Sequence, residues 1–128
     1  MIVADTDVLI DYLEGKAPAD ARIAIELERG HLVTTAVNRF ELLAGARFAK
    51  QKKLIENLLA ALPCLPLDAN AADRAAEVRR DLERAGGGIG MGDSLIAGIV
   101  LARNGILLTR NTRHFERVPA LSLGTLAK

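Results

Sequence analysis

A three-layer α/β/α fold with a central, mostly parallel sheet is the fold class that the sequence predicts. Short apolar runs alternate with amphipathic stretches, which is the order of strands and helices that builds a parallel sheet. Neither repeats nor low-complexity linkers interrupt the 128 residues, so we expect a single domain over residues 1–128. Half of the residues are apolar but only 3% are aromatic, so aliphatic side chains must fill the core.

Strands are predicted where short apolar runs are bounded by polar or helix-breaking residues. They cover residues 2–4, 31–35, 64–67, 106–109 and 121–123. The third run is bracketed by Pro63 and Pro66, and proline cannot donate to a strand ladder, so this strand should lie near an edge of the sheet. Its Cys64 is the only cysteine, and we expect it to be a small buried hydrophobe.

Helices are predicted between these runs. They cover "DVLIDYLEG", the stretch from Pro18 to Gly30, residues 37–46, 50–61 and 69–85, and "DSLIAGIVLARNG". The stretch "GGGIGMG" (86–92) separates the last two. In the first helix, Asp7, Asp11 and Glu14 lie at positions i, i+4 and i+7, opposite the apolar face, so we expect all three in solvent.

Polar residues follow the ends of the central strands. Asp5 comes directly after the first strand, Glu41 lies about one turn into the helix after the second, Asp93 heads the helix that leads into the 106–109 strand, and Asn111 follows that strand. Ligand sites in open parallel sheets form at the carboxyl ends of the strands. We therefore expect these four side chains around one mouth.

Each of these residues also has a structural explanation when it is taken alone. Asp5 or Asp93 could cap a helix, Glu41 could lie on the surface, and Asn111 could form an Asx turn. Three carboxylates at one mouth, however, repel one another unless a cation is present. Mg²⁺ or Mn²⁺ accepts such oxygen ligands and supports hydrolysis of phosphodiesters by an activated water. Neither a His/Cys zinc set nor a nucleotide-binding glycine motif occurs in the sequence.

Three stretches resemble successive motifs of the PIN domain, in particular of VapC-type toxins. They are "IVADTDVLIDYL", "NRFELLAG" and "GMGDSLIAGIVLARNGILLTRNTRHFERVPAL". The resemblance spans the whole chain and implies a PIN-like fold. It also implies a metal-dependent endoribonuclease, the toxin of a VapBC-type toxin–antitoxin system, with RNA as substrate and a cognate VapB-type antitoxin as partner.

The resemblance also assigns site residues by position. Asp5, Glu41 and Asp93 match the catalytic acidic triad, with Asp5 and Asp93 as the main Mg²⁺ or Mn²⁺ ligands. Thr6 and Asn111 match residues that line the site, and the candidate RNA contacts are Arg110, Arg113 and His114. Many relatives carry a further acid where His114 stands, so a stably bound second metal does not carry over.

Two alternatives remain open at this point. "DTDV" also resembles the start of haloacid-dehalogenase-type phosphatases, in which Asp5 would be the nucleophile and Asp7 the acid/base, but no lysine lies between Lys53 and Lys128 to complete that site. The chain could also be a non-catalytic RNA-binding or protein-binding domain of the same fold. The three retained acids argue against this, because mutually repelling carboxylates have little structural use.

Partners and location follow from the remaining features. Apolar helix faces, such as that of residues 50–61, predict a homodimer. One cysteine, no apolar run of the roughly 20 residues that span a membrane, and no basic leader predict a soluble cytoplasmic protein with no membrane association. The net charge of +1 indicates no class of partner.

Overall fold

The structure, a computed structural model, describes residues 1–127, which contain five strands and seven helices. The strands are β1 (Ile2–Ala4), β2 (Leu32–Thr35), β3 (Cys64–Leu65), β4 (Ile106–Leu108) and β5 (Ser122–Leu123). The helices are α1 (Thr6–Leu13), α2 (Ala19–Arg29), α3 (Ala36–Gly45), α4 (Ala49–Ala60), α5 (Ala69–Arg84), α6 (Met91–Arg103) and α7 (Thr112–Phe115).

The five strands form one parallel sheet in the order β3-β2-β1-β4-β5. β1 lies at the centre, with Val3 paired to Val33 on one side and to Leu107 on the other. The chain builds outward from β1 through β2 and β3, and then returns to add β4 on the opposite side. The carboxyl ends of β1 and β4 therefore form the switch point where sites open in such sheets.

Two apolar layers cover the sheet, as the sequence predicts. Successive residues of a strand point to opposite faces. Val3 and Leu107 accordingly pack with buried residues of α5, α6 and α7, whereas Ala4 and Leu108 pack with buried residues of α1 to α4. The predicted three-layer α/β/α fold is confirmed. None of the helices in residues 1–127 is long and apolar enough to cross a membrane.

Close packing of α5 on α6 depends on Gly98. A Cβ atom there would lie 2.5 Å from the carbonyl oxygen of Ala71 and 2.6 Å from the amide nitrogen of Ala75, closer than atoms can approach. Both alanines are buried residues of α5. The absence of a side chain at Gly98 thus sets the distance between the two helices.

Gly98→Ala should therefore destabilise the fold by about 1–3 kcal/mol, the cost of overpacking a core. The matched control is Gly45→Ala in α3, where an added Cβ meets nothing within 4 Å. That variant should keep or slightly raise the free energy of unfolding measured by urea denaturation, because alanine favours helices. Equal stability of the two variants would contradict the packing account.

Two predictions about strand β3 have different outcomes. The strand lies at an edge of the sheet, as its flanking prolines indicate. The prediction that Cys64 is buried is wrong: the residue is exposed, and Leu65 is the residue that points into the core. Because the strand covers only two residues, alternation allows one of them to be buried, and the larger leucine takes that position.

The chain differs from the prediction again around Asp93 and after β4. α6 begins at Met91 with Gly90 as its N-cap, so Asp93 is the third residue of the helix and not its cap. The short helix α7 was not predicted, because four residues are too few to show a helical period. It buries Phe115 in the core and carries His114 back toward α6.

Candidate active site

A cleft of about 280 Å³ opens at the carboxyl ends of β1 and β4. Its lining consists of Asp5, Thr6, Asp7, Ile10, Glu41, Asp93, Arg110 and Asn111. The four polar residues predicted to surround one mouth all belong to this lining, and so does Thr6. Since these residues come from four separate parts of the chain, the fold brings them together.

Asp5 is both a helix cap and a buried member of the cleft. Its Oδ1 accepts hydrogen bonds from the Thr6 amide at 2.8 Å and from Asn38 Nδ2 at 2.8 Å, and its Oδ2 accepts one from Thr109 Oγ1 at 2.7 Å. Helix capping and a place in the site, the two explanations considered for Asp5 from the sequence, are therefore compatible. One carboxylate oxygen caps α1, while the group as a whole is fixed within the cleft.

Burial raises the pKa of the Asp5 carboxyl above its ordinary value of 3.8. The hydrogen bonds from Thr109, Thr6 and Asn38 lower this pKa because they favour the charged form, and the negative charge of Asp93 raises it. The site thus combines a costly buried carboxylate with donors that favour its ionised state.

Glu41 is connected to Asp5 through Thr6. The Thr6 hydroxyl donates to Glu41 Oε1 at 2.6 Å, and Thr6 Oγ1 accepts from Asn38 Nδ2 at 2.9 Å. The other oxygen, Oε2, lies beside the first turn of α6, where a Cβ on Gly92 would approach it to 3.4 Å. Glu41 is half-buried rather than a free surface residue.

Asp93 extends from the first turn of α6 and contacts α7. Its Oδ2 lies 2.9 Å from Nδ1 of His114, whose side chain is 52% exposed. His114 is therefore held at the rim of the cleft by Asp93. Its contact with RNA stays a prediction, as does that of Arg113, which is exposed in α7.

The prediction that Asp7 and Asp11 lie in solvent is wrong. Asp11 is 6% exposed, and its Oδ2 pairs with Arg110 Nε at 3.0 Å. Asp7 Oδ2 accepts from the Arg110 amide at 2.9 Å, and its Oδ1 is buried without a hydrogen-bond partner in residues 1–127. The segment after β4 covers this face of α1, which helical periodicity cannot predict. Only Glu14 is exposed as expected.

Arg110 is therefore engaged with two carboxylates of α1. Its guanidinium pairs with Asp11 and lies 4.0 Å from Asp7, although its side chain remains 56% exposed. These acids neutralise part of the positive charge of Arg110, so less of that charge is available to bind RNA phosphates. A direct contact of Arg110 with RNA stays a prediction, and it would require the ion pair between Arg110 and Asp11 to break first.

Three buried polar residues of the site were missed from the sequence: Thr35, Asn38 and Thr109. Thr35, Asn38 and Glu41 are spaced by three residues, which places them along one side of α3. That spacing was the available signal, since a polar stripe after a buried strand is unusual unless it faces a site. Thr109 has no comparable signal beyond its position at the end of an apolar run.

The oxygen donors of the cleft fit a hard divalent cation. Carboxylates are the ligands that Mg²⁺ and Mn²⁺ prefer, and Mg²⁺ usually keeps several waters while binding one or two carboxylates. Within residues 1–127, no group of three or more Asp, Glu, His or Cys side chains lies close enough together to hold a metal ion. The site therefore fits an ion held by one or two carboxylates and water, and does not fit a closed zinc site.

The fold and the acidic cleft define the class of protein. A family model described as PIN domain matches residues 2–121, so the chain belongs to the PIN domain family. Among similar solved structures is the DNA-bound VapBC from Salmonella typhimurium, with a TM-score of 0.87, 23% identity and 98% coverage of both chains. VapBC-1 from nontypeable Haemophilus influenzae has a TM-score of 0.81, 26% identity and full coverage of both chains.

Curated relatives narrow the family to VapC ribonucleases. The tRNA(fMet)-specific endonuclease VapC of Shigella flexneri is 34% identical over 121 residues, 91% of each chain. Ribonuclease VapC10 of Mycobacterium tuberculosis (strain H37Rv) is 34% identical over 115 residues, which are 90% of this chain and 86% of the relative. The resemblance to VapC-type PIN domains is confirmed.

The titration of Asp7 gives a testable dependence of stability on pH. Burial and the charge of Asp5 raise the pKa of Asp7 from 3.8 to about 6. The folded state thus retains a proton that the unfolded state has lost, so without metal the free energy of unfolding should fall as pH rises from about 4 to about 6. Urea denaturation in a chelator should show a shallower fall for Asp7→Asn. The assignment would be contradicted if Asp7→Asn showed the same fall as the wild type. It would also be contradicted if Asp81→Asn, outside the cleft, made the fall equally shallow.

Proposed function

We propose that this chain is an endoribonuclease dependent on Mg²⁺ or Mn²⁺ and the toxin of a VapBC-type toxin–antitoxin pair. The observation that carries the proposal is the shared cleft of Asp5, Glu41 and Asp93 at the switch point of the sheet. Three acids from three parts of the chain surround one open cleft, and donors from the fold satisfy two of them.

Asp5 and Asp93 would hold the ion, and Glu41 would assist. When bound, the ion would neutralise the repulsion among these acids and the negative charge that develops on the cleaved phosphodiester. Asp5 is suited to this role because hydrogen bonds hold both of its oxygens. Asp93 is suited because its side chain, although it contacts His114, remains 22% exposed.

The other residues of the cleft would position water and substrate. The Thr6 hydroxyl donates to Glu41 Oε1 and fixes the carboxylate. The other oxygen, Oε2, would accept a hydrogen bond from the attacking water and so orient that water. The cleft is open rather than enclosed, and exposed Asn111 and Arg113 lie on the segment at its rim. This shape favours a polymeric substrate over a single nucleotide. Because the Shigella flexneri relative is named for tRNA(fMet), this tRNA is the first RNA to test.

An apolar groove next to the cleft would accept the antitoxin. It has a volume of about 420 Å³ and is lined by Ile10, Leu13, Phe48, Leu54 and Ile55, among others. Ile10 lines both the groove and the acidic cleft, so the two are continuous. We expect an antitoxin segment to place apolar side chains in the groove and an arginine or lysine against the carboxylates.

A homodimer is proposed through a second apolar surface on the other side of Glu41. Phe40, Leu67 and Met91 are 69%, 41% and 67% exposed and line one groove. The helix at 50–61, which the sequence indicated for the dimer, contributes Leu54 and Ile55 to the groove proposed for the antitoxin. Light scattering at micromolar concentration decides between a dimer and a monomer.

Membership of the PIN domain family removes the phosphatase alternative. The structure agrees, since Asp7 accepts the Arg110 amide and has one oxygen buried, so it is not free to serve as the acid/base of a phosphatase. The non-catalytic alternative has no structural observation in its favour, and the cleavage assay below tests it.

Metal should stabilise the folded chain. An ion that binds Asp5 and Asp93 only in the folded state raises the free energy of unfolding with its concentration, by about 2.7 kcal/mol at 100 times its Kd. The melting temperature should therefore rise with Mn²⁺ in the millimolar range and less so for Asp93→Asn. A melting temperature that stays flat in the wild type, with no heat of binding in calorimetry, would overturn the proposed metal site.

A further inference from the structure

Asn38 lies at the centre of the hydrogen bonds beneath the cleft. The residue is fully buried in the first turn of α3, three positions after Thr35 and three before Glu41. Its side chain contacts Thr35 on one side and both Asp5 and Thr6 on the other. An amide buried this completely is costly unless its donors and acceptor are used.

The direction of each hydrogen bond around Asn38 is determined. Thr35 Oγ1 accepts the backbone N–H of Asn38 at 3.1 Å and donates its single proton to Asn38 Oδ1 at 2.7 Å. This fixes the orientation of the amide, because the oxygen must face Thr35 and the nitrogen must face the cleft. The Nδ2 group then donates one proton to Asp5 Oδ1 at 2.8 Å and the other to Thr6 Oγ1 at 2.9 Å.

The hydrogen bonds that begin at Thr35 and Asn38 end on the carboxylates of Asp5 and Glu41. Because Thr6 Oγ1 accepts from Asn38, its own proton is directed to Glu41 Oε1 at 2.6 Å. Asn38 thus orients Asp5 directly and Glu41 through one hydroxyl. Thr109 holds the other oxygen of Asp5 independently. After the loss of Asn38, that carboxylate would keep a single donor at each oxygen: Thr109 at Oδ2 and the Thr6 amide at Oδ1.

We propose that Asn38 is a positioning residue whose amide holds Asp5 and, through Thr6, Glu41 in the orientation that metal binding and RNA cleavage require. The inference rests on the proposed function, because it concerns the same three acids. Other side chains do not replace the amide. Leucine has similar bulk but no donors, and glutamine is longer by one methylene in a site with no spare room.

The test uses Asn38→Leu in the whole 128-residue chain. Loss of a residue that orients a metal ligand typically lowers metal affinity or activity by about 10–100-fold. We expect Mn²⁺ affinity in isothermal titration calorimetry to fall within this range and kcat on RNA to fall with it. KM for RNA should change by less than about threefold, because Asn38 is buried beneath the cleft and does not contact the substrate.

Thr34→Val is the matched control. Thr34 is a buried threonine of the same strand end, but its hydroxyl donates to the carbonyl of Ala4 and not to the cleft acids. The variant should lose stability without losing Mn²⁺ affinity or kcat. Thr35→Val provides a second test that does not depend on the folding of Asn38→Leu, since it removes the hydroxyl that orients the amide, and it should weaken Mn²⁺ binding in the same direction.

The outcomes separate this inference from the proposed function. Selective loss in Asn38→Leu and Thr35→Val, with Thr34→Val unaffected, supports the positioning role. Wild-type Mn²⁺ affinity and kcat in either cleft variant, or equal losses in Thr34→Val, overturn it while the ribonuclease stands. Absence of both Mn²⁺ binding and cleavage in the wild-type chain overturns the proposed function, and this inference with it.

Discussion

Asp5→Asn is expected to lose RNA cleavage by on the order of 10³-fold or more while the chain remains folded. The substitution removes a charged ligand from the proposed metal site but keeps an oxygen that can accept from Thr6 and Asn38. Without metal the variant should be at least as stable as the wild type, because a buried charge repelled by Asp93 is gone. Cleavage of labelled RNA and thermal melting in a chelator measure the two effects.

Asp7→Asn is the matched control for this prediction. Asp7 lies two residues after Asp5 and contacts Arg110 rather than the other acids. The rate of RNA cleavage should therefore change by no more than about tenfold. In a phosphatase, Asp7 would be the proton donor, and its loss would cost about 10²–10⁴ in rate. Equal losses in both variants, with activity only on a phosphomonoester, would contradict the assignment of Asp5. Asp11→Asn is expected to cost stability, since Asp11 pairs with Arg110.

Phe48→Glu is expected to weaken antitoxin binding by about 30-fold or more, which corresponds to the 2 kcal/mol of a typical hot-spot residue. Phe48 is 72% exposed at the groove between α1 and α4, so a charge there would leave the free chain folded but would oppose an apolar partner segment. The partner to test is a VapB-type antitoxin, and calorimetry with the purified antitoxin measures the affinity.

The control for the groove is Phe40→Glu on the surface proposed for the homodimer. Phe40 is also largely exposed but lines the groove with Leu67 and Met91. This variant should bind antitoxin with wild-type affinity per chain and dissociate the dimer. If Phe48→Glu binds antitoxin normally while Phe40→Glu does not, the two surfaces have been assigned in the wrong order. RNA cleavage should survive in both.

The part of the site that could be predicted is the part determined by strand order. Asp5 and Asn111 follow β1 and β4, and in a parallel sheet these neighbouring strands must end at the same edge. Glu41 and Asp93 lie on the helices that flank the same edge. Local pattern and parallel topology were therefore sufficient to bring four polar residues to one cleft.

The part that could not be predicted depends on contacts between distant segments. Asp11 has the helical position of a solvent-facing residue, but the segment after β4, about one hundred residues later, covers it with Arg110. Asn38 and Thr109 owe their roles to Asp5, which is distant from both in the sequence. The spacing of Asn38 from Glu41 indicates which side of the helix faces the site, but periodicity carries no information about distant partners. The pairing of Asp11 with Arg110, and of Asp5 with Asn38 and Thr109, is therefore found only in the folded chain.

The most direct test of the central claim is cleavage of end-labelled RNA by the purified chain, first in a chelator and then with Mn²⁺ added. If Asp5, Glu41 and Asp93 form a metal-dependent nuclease site, internal cuts should be absent in the chelator, appear with Mn²⁺ at the concentration that raises the melting temperature, and be lost in Asp5→Asn. Cleavage that persists in the chelator, or that survives in Asp5→Asn, would contradict the account. So would a folded, Mn²⁺-bound chain that cuts neither tRNA(fMet) nor any other RNA.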